Sequence, residues 1–131
     1  MAETFKFELV SPERILMSGN AEQVLIPGAE GDMTILPGHA PVVSTLRPGV
    51  LDVGLEGSRA RLFVKSGFVE VEPDRVTVLA HKAYDLAELA SATIADELAG
   101  AEAELAEAKD DTARFLASEA IGVLTRLKAA Q

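Results

Sequence analysis

The sequence has 131 residues, of which 48% are hydrophobic and 25% are charged, as is typical of one globular domain or of a small domain with an appendage. Twelve Lys and Arg against 21 Asp and Glu give a formal net charge of −9, which disfavours direct binding to nucleic acid or to anionic lipid. The absence of Cys excludes disulfides and thiol nucleophiles, and the longest uncharged run, Met33 to Leu46, is too short for a membrane-spanning helix. We therefore expect a soluble protein of the cytoplasmic type.

Glycine, proline and alanine divide the sequence into two parts. All six Pro and eight of the ten Gly precede Tyr84, whereas 14 of the 21 Ala follow it. Gly and Pro interrupt regular structure at turns, and Ala favours helix. The sequence predicts a β domain over residues 1–84 and an α-helical domain over residues 85–131.

Short apolar runs separated by turn residues predict strands in the first domain. Residues 5–9 alternate between apolar and polar, which is the period of a half-buried strand. Turn residues at 56–58 and at 73–74 predict two hairpins. The predicted strands are residues 5–9, 24–26, 34–36, 42–43, 50–53, 60–64, 68–72 and 75–79. Many short strands with no helical pattern between them favour an antiparallel β-sandwich.

The second domain is predicted to be an antiparallel hairpin of two helices. Asp85 followed by Glu88 resembles a capping box and predicts the start of the first helix, and Lys109–Thr112 offers a cap for the second. Apolar residues at steps of three and four predict the buried stripe: Ala87, Ala90, Ile94, Leu98, Ala101, Leu105 and Ala108, then Ala113, Leu116, Ala120, Val123 and Leu127. Because Ala buries little surface, we expect a marginally stable hairpin that can detach and reorganise.

The segment Gly28–Asp32 contains two Gly and two carboxylates. It lacks the Lys of a phosphate-binding loop, and no helix follows it, so a bound phosphate is disfavoured. One interpretation is a tight strand connection that needs a positive φ at Gly28 or Gly31, and another is an exposed acidic loop that docks on a partner. A carboxylate pair formed by Glu30 and Asp32, as in glycosidases, is a third.

His39 lies between two Pro in the turn Pro37–Pro41. It could form a hydrogen bond within the turn, contact a partner or act as a catalytic base. Neither His39 nor His81 has the spacing of a metal ligand, so we expect no metal site. The acidic residues between 102 and 111 predict a solvated helix face. The second helix contains three basic residues, Arg114, Arg126 and Lys128. Arg126 and Lys128 could stabilise the C-terminal end of the helix dipole, and all three could instead dock on an acidic partner surface.

Several motifs together resemble the epsilon-subunit family of bacterial rotary ATP synthases, whose mitochondrial counterpart is called delta. The most specific is Glu30-Gly31-Asp32 followed, at this spacing, by Pro37-Gly38-His39-Ala40-Pro41. The resemblance covers the whole chain. The other matching segments are Val10–Glu13, Ser18–Gly19, Leu46–Gly49, Gly67–Val71, Val76–Ala80 and the Ala/Glu-rich tail.

The resemblance implies a non-catalytic central-stalk subunit of the proton-translocating ATP synthase, with no cofactor. Its sandwich would hold the gamma subunit and sit on the c-ring, at the cytoplasmic face of the bacterial inner membrane, so that the chain reaches the membrane only through the complex. Glu30, Gly31 and Asp32 match the loop that meets the c-ring, and His39 matches a turn near the same contacts. The hairpin, with Arg114, Arg126 and Lys128, would approach the catalytic beta subunit and impede ATP hydrolysis.

One departure from the family pattern concerns ATP. Some bacterial relatives bind ATP through a Leu-Asp-x-x-Arg-Ala motif, and here Ala90 and Thr93 occupy the Asp and Arg positions. The charge-assisted bonds of the Arg to phosphate are lost, so we expect no ATP site. Two other functions remain as alternatives: a free-standing adaptor with a similar sandwich, and a small hydrolase or lyase that uses His39 with Glu30 or Asp32.

Overall fold

A computed structural model describes residues 3–131 and shows a β unit followed by an α unit, divided between Asp85 and Leu86. The strands are β1 (Phe5–Val10), β2 (Ile15–Gly28), β3 (Gly31–Ile35), β4 (Val42–Thr45), β5 (Gly49–Leu55), β6 (Ser58–Val64), β7 (Gly67–Glu72), β8 (Arg75–Ala80) and β9 (Ala83–Asp85). The helices are α1 (Ser91–Glu107) and α2 (Asp111–Ala129).

The strands form one sheet that is antiparallel except where β1 and β8 pair in parallel. The order is β4-β7-β8-β1-β2-β5-β6-β9, and β3 pairs with β2 outside this path. The 14-residue β2 connects strands β4, β7, β8 and β1 to strands β5, β6 and β9. Its first half pairs with β1, and its second half pairs with β3 and β5. The predicted β-sandwich and its two hairpins, β5–β6 and β7–β8, are confirmed.

Alternate residues of the strands form the core of the β unit. In β1, for example, Phe5, Phe7 and Leu9 are buried while Lys6 is exposed. The other core residues are mostly Val, Leu and Ile, each of which contributes about 1.5–3 kcal/mol when it is buried. The core therefore consists mainly of large apolar side chains held on paired backbone.

The first helix begins at Ser91, so the predicted start at Asp85 was wrong. Residues Ala83–Asp85 instead form the edge strand β9, in which Asp85 pairs with Leu62 of β6 and the ring of Tyr84 stacks on Phe63 at 6.5 Å. A turn at residues 86–88 separates Asp85 from the first turn of α1, so its side chain is not at the N-cap position. Ala90 is the N-cap residue of α1, and it makes no side-chain capping bond.

The second helix begins as predicted. The Asp110 carboxylate accepts a hydrogen bond of 2.7 Å from the backbone N–H of Ala113. At its other end, the side-chain amide of Gln131 donates to the carbonyl of Leu89 (2.9 Å) and accepts from the hydroxyl of Ser91 (2.7 Å). The end of α2 therefore meets the start of α1, and the hairpin is antiparallel.

The predicted buried stripe was wrong at several positions. Ala87 and Ala90 precede α1 and are exposed, and the side chain of Leu116 is 37% exposed. Steps of three and four fit more than one helix face, so the pattern did not distinguish Leu116 from its neighbour Ala117. The buried residues are Ile94, Glu97 and Ala101 in α1, and Ala117, Ala120, Val123 and Leu124 in α2. Among residues 3–131, no helix is long and apolar enough to cross a membrane.

Candidate functional site

The segment Gly28–Asp32, called here the acidic loop, is the tight turn between β2 and β3. Gly28 pairs with Gly31 at the ends of the two strands. Gly31 has a φ of +143°, so the positive φ expected at one of the two glycines is found there. Gly28 is required for lack of space rather than for its φ, because a Cβ there would lie 2.8 Å from the Gly31 carbonyl oxygen. The turn presents Glu30 as an exposed residue.

Arg47 contacts both sides of the acidic loop. One guanidinium nitrogen, Nη1, donates to the carbonyl of Gly28 (2.6 Å), and the other, Nη2, donates to Oδ1 of Asp32 (2.5 Å). The backbone N–H of Arg47 donates to the carbonyl of Pro27, and that of Ala29 donates to the carbonyl of Thr45, both at 2.9 Å. These bonds attach the first residues of the acidic loop to the end of β4 and to Arg47 just after it.

The turn Pro37–Pro41, called here the His39 turn, lies at the other end of β3 and β4 from the acidic loop. The N–H of Gly38, where φ is +84°, donates to the carbonyl of Pro73 in the β7–β8 turn. The four residues of β4 span about 10 Å between the two segments. One interpretation of the sequence placed His39 in a catalytic site with Glu30 or Asp32. The structure does not bring His39 next to either carboxylate.

His39 forms a hydrogen bond within its own turn. Its ring Nδ1 lies 2.7 Å from the carbonyl oxygen of Ala40, and its backbone N–H donates to the carbonyl of Leu36. Asp32, for its part, pairs with Arg47. Residues 3–131 contain no group of three His, Asp or Glu that could hold a metal ion. His39 is bonded within its own turn and Asp32 is bonded to Arg47, so the two side chains do not form a catalytic pair in this arrangement.

Four apolar side chains form a row across the outer face of the β7–β8–β1–β2 layer. Phe68 pairs with Leu79, Leu79 with Val10, and Val10 with Ile15. Phe68 is 43% and Ile15 is 59% exposed. At about 4.8 Å between strands, this apolar row is about 14 Å long. The row is a candidate interaction surface, which the sequence pattern did not reveal because it shows no cross-strand neighbours.

A charged cluster links the two strands of the β5–β6 hairpin. Both carboxylate oxygens of Asp52 accept hydrogen bonds from Arg59, with 2.8 Å between Nε and Oδ1, and Arg61 lies opposite Asp52 in the register. The hydrogen bond from Arg59 lowers the pKa of Asp52, although partial burial opposes the shift. The cluster joins neighbouring strands and contacts neither the acidic loop nor the His39 turn in the described residues.

The candidate residues of the hairpin are spread along α2. Arg114 pairs with Asp111 in the first turn at 2.6 Å, while Arg126 and Lys128 lie in the last turn. Ala90 and Thr93, at the positions of the ATP motif, provide no charged group at the start of α1.

Comparison with protein-family models matches residues 4–85 to the family "ATP synthase, Delta/Epsilon chain, beta-sandwich domain". The chain is 50% identical over 129 residues to the ATP synthase epsilon chain of Parvibaculum lavamentivorans, covering 98% of both chains. It is 45% identical over 132 residues to the ATP synthase epsilon chain of Rhodospirillum rubrum, covering 100% of this chain and 98% of the relative.

Two solved structures have a similar fold. One is a chain of the Euglena gracilis mitochondrial ATP synthase, in a structure of its OSCP, F1 and c-ring, with a TM-score of 0.73 and 25% identity over 97% of this chain and 81% of that one. The other is a chain of the Tetrahymena thermophila mitochondrial ATP synthase, in a structure of its central stalk and c-ring. It has a TM-score of 0.66 and 12% identity, covers 96% of this chain and 97% of that one, and so supports the fold alone.

Proposed function

The chain belongs to the ATP synthase delta/epsilon chain family, and on that premise we propose that it joins the gamma subunit to the c-ring in the central stalk of a proton-translocating ATP synthase. It is a non-catalytic subunit of the complex. The observation that supports the proposal is that the β unit exposes two regions of different chemistry, the charged acidic loop and the apolar row.

The apolar row is assigned to the gamma subunit. The centres of stable protein interfaces are apolar and rich in aromatic residues, and charged residues are depleted there. Phe68 and Ile15 satisfy this requirement at opposite ends of the row; β7 is paired on both sides at Phe68, and β2 is paired with β1 at Ile15. A gamma surface that covers the row would be held by rigid backbone, as transmission of torque requires.

The acidic loop is assigned to the polar loops of the c-ring. Charged contacts at the edge of an interface mainly determine association rate and register. Glu30 projects from a turn whose backbone is bonded to its neighbours, so its position is defined before the partner arrives. His39, at the far end of β3 and β4, would then contact a different part of the rotor.

The α unit is assigned a regulatory role near the catalytic beta subunit. Arg126 and Lys128 are exposed in the last turn of α2, where they can meet an acidic surface, whereas Arg114 is already paired with Asp111. Since Ala90 and Thr93 replace the charged residues of the ATP motif, we expect weak or absent ATP binding. Isothermal calorimetry that gives a micromolar dissociation constant for ATP would contradict this expectation.

The complex is placed at the cytoplasmic face of the bacterial inner membrane, and the chain would be peripheral to the membrane within it. Cell fractionation tests this assignment. The chain should sediment with membranes together with gamma and should be released when the ATPase head is stripped from them. A stable soluble complex without gamma would instead indicate a free-standing adaptor.

Reconstitution of an ATP synthase depleted of this subunit tests the main proposal. Adding the chain should restore ATP-driven proton pumping, and Phe68→Gln should weaken its binding about tenfold or more because it removes an aromatic anchor. Leu25→Gln is the matched control, since Leu25 is 37% exposed on a different part of the sheet and should bind normally. Equal binding by both variants would remove the apolar row from the interface.

A further inference from the structure

We propose that Arg47 positions the acidic loop for its partner, and that Glu30 rather than Asp32 is the carboxylate that a cationic side chain of the partner binds. This inference rests on the proposed docking role of the loop. It distinguishes two acidic residues that the sequence motif treats as equivalent, and it adds a residue to the site that lies outside the loop itself.

The guanidinium of Arg47 connects the two strands that flank the turn. Its two terminal nitrogens bond to the Gly28 carbonyl, at the end of β2, and to the Asp32 carboxylate, at the start of β3. The Arg47 side chain is only 20% exposed, so these bonds are partly shielded from water. A planar guanidinium can make two such bonds at once in a fixed direction, whereas the ammonium of Lys acts as a point charge.

The pairing with Arg47 makes Asp32 a poor ligand for a partner. The Asp32 side chain is 57% exposed, but its Oδ1 is bonded to a cation within the chain, and a partner cation that approached the other oxygen would be repelled by the guanidinium. Glu30 is exposed at the tip of the turn, and within residues 3–131 the structure shows no ion pair to its carboxylate. Glu30 therefore carries the charge that is open to a partner.

The surroundings of Glu30 indicate the chemistry of that partner group. An open depression of about 430 Å³ lies beside the loop and is lined by Glu30, Asp32, Val43 and Thr45 among others. Val43 is 70% exposed and provides an apolar wall next to the carboxylate. A long cationic side chain, Lys or Arg, fits this combination because its aliphatic part can lie on Val43 while its charged end reaches Glu30.

Holding the loop before binding has a kinetic consequence. A loop that is already ordered loses little conformational freedom when the partner docks, which slows dissociation compared with a mobile loop. A surface charge at the tip mainly raises the association rate, and salt screens its effect. The two residues should therefore affect different rate constants, Arg47 the dissociation rate and Glu30 the association rate.

Four variants separate these roles: Glu30→Gln, Asp32→Asn, Arg47→Gln and Arg47→Lys. Their binding to an ATP synthase that lacks this subunit is measured by surface plasmon resonance at 50 and 300 mM salt. We expect Glu30→Gln to lower the association rate about threefold to tenfold at low salt and to reduce its salt dependence. We expect Asp32→Asn to change the association rate less than about twofold.

Arg47→Gln should raise the dissociation rate about tenfold, and Arg47→Lys should restore part of this loss because it keeps one charge-assisted bond. Amide hydrogen exchange on the free chain provides a readout that needs no partner. The Ala29 amide, bonded to Thr45, should exchange at least about fivefold faster in Arg47→Gln. Arg61→Gln is the matched control, since it removes a sheet arginine from the Asp52 cluster and should leave the loop unchanged.

The outcomes separate this inference from the function on which it rests. An Asp32→Asn effect on association as large as that of Glu30→Gln, or unchanged Ala29 exchange in Arg47→Gln, would overturn the inference. If Phe68→Gln lost binding and no loop variant had any effect, the acidic loop would be excluded from the interface and the proposed central-stalk function would stand. Failure of the parent chain to bind would refute the function itself, while the exchange experiment would still decide whether Arg47 orders the loop.

Discussion

The β unit and the α unit bury different kinds of side chain. The β unit buries Phe, Leu, Ile and Val from seven of its nine strands, including Phe7 and Phe63, which are completely inaccessible to solvent. The hairpin buries three Ala and one Glu among its seven buried residues. Since buried apolar area provides most of the stabilisation, the β unit has a large reserve of stability and the hairpin has a small one.

Charge-assisted polar contacts occur in both units. In the β unit, Arg47 and Arg59 make paired, charge-assisted bonds that connect neighbouring strands. In the hairpin, Arg114 makes a charge-assisted bond to Asp111, and the Asp110 carboxylate and the Gln131 amide bond to backbone groups at the helix ends. The difference in buried apolar side chains fits a β unit that transmits force and a hairpin that can change its conformation. Four measurements test this difference.

The largest expected effect is in the core of the β unit. Phe7→Ala should lower the free energy of unfolding by about 3–5 kcal/mol, because it removes a fully buried ring and leaves a cavity. Chemical denaturation followed by circular dichroism measures the change. In the matched hairpin variant Ala120→Gly, a loss of only about 1 kcal/mol is expected. Equal losses would mean that the two units do not differ in stability as proposed.

Amide hydrogen exchange compares the two units directly in the parent chain. Amides in the middle of α1 and α2 should be protected at least about tenfold less than those of β1 and β8, since fewer apolar contacts oppose local opening of the hairpin. Mass spectrometry of peptides from residues 91–129 and 5–80 gives both values in one experiment. Equal protection of helices and strands would argue against a hairpin that can reorganise.

The helix cap is expected to have a smaller effect that is confined to one unit. Asp110→Ala should destabilise the hairpin by about 1 kcal/mol, because the Ala113 N–H loses its partner. Exchange of the α2 amides should speed up, with no change in the β-strands. Glu102→Ala, an exposed position within α1, serves as a control and should have little effect. Faster exchange in the β unit would show that the two units unfold together.

The smallest effect concerns Asp52 and pH. The hydrogen bond from Arg59 lowers the pKa of Asp52 in the folded chain below its ordinary value of 3.8. The resulting stabilisation is complete above that ordinary value and is lost as the pH falls through the lower, folded value. Asp52→Asn should cost about 0.2–1 kcal/mol at pH 7 and should flatten the acid side of the stability profile. An unchanged profile would mean that the cluster contributes nothing to acid stability.

Local patterns predicted most of the elements because local chemistry determines them. The alternation in residues 5–9, the turn at Pro73–Asp74 and the Asp110 cap each depend on neighbouring residues, and each is confirmed. The start of α1 was wrong because Asp85 and Glu88 fit a helix cap, whereas pairing with β6 gives Asp85 a partner 23 positions away in the sequence. The tight turn with a positive φ at Gly31 was predicted from neighbouring residues in the same way.

The rest of the candidate site depends on contacts between distant residues. Arg47 lies 15 positions after Asp32, and no spacing rule predicts that its guanidinium will reach back across the turn. The apolar row joins residues from four strands, and only the sheet register makes them neighbours.

By itself, the sequence determined the two-part organisation, the strand and helix types and the family to which the chain belongs. These follow from composition, short periods and motifs, which are properties of neighbouring residues. Only the tertiary structure decided that the acidic loop and the His39 turn lie at opposite ends of β3 and β4, that Arg47 holds the loop, and which helix positions are buried. Side chains meet across strands and helices according to register and packing, and no stretch of sequence contains that information alone.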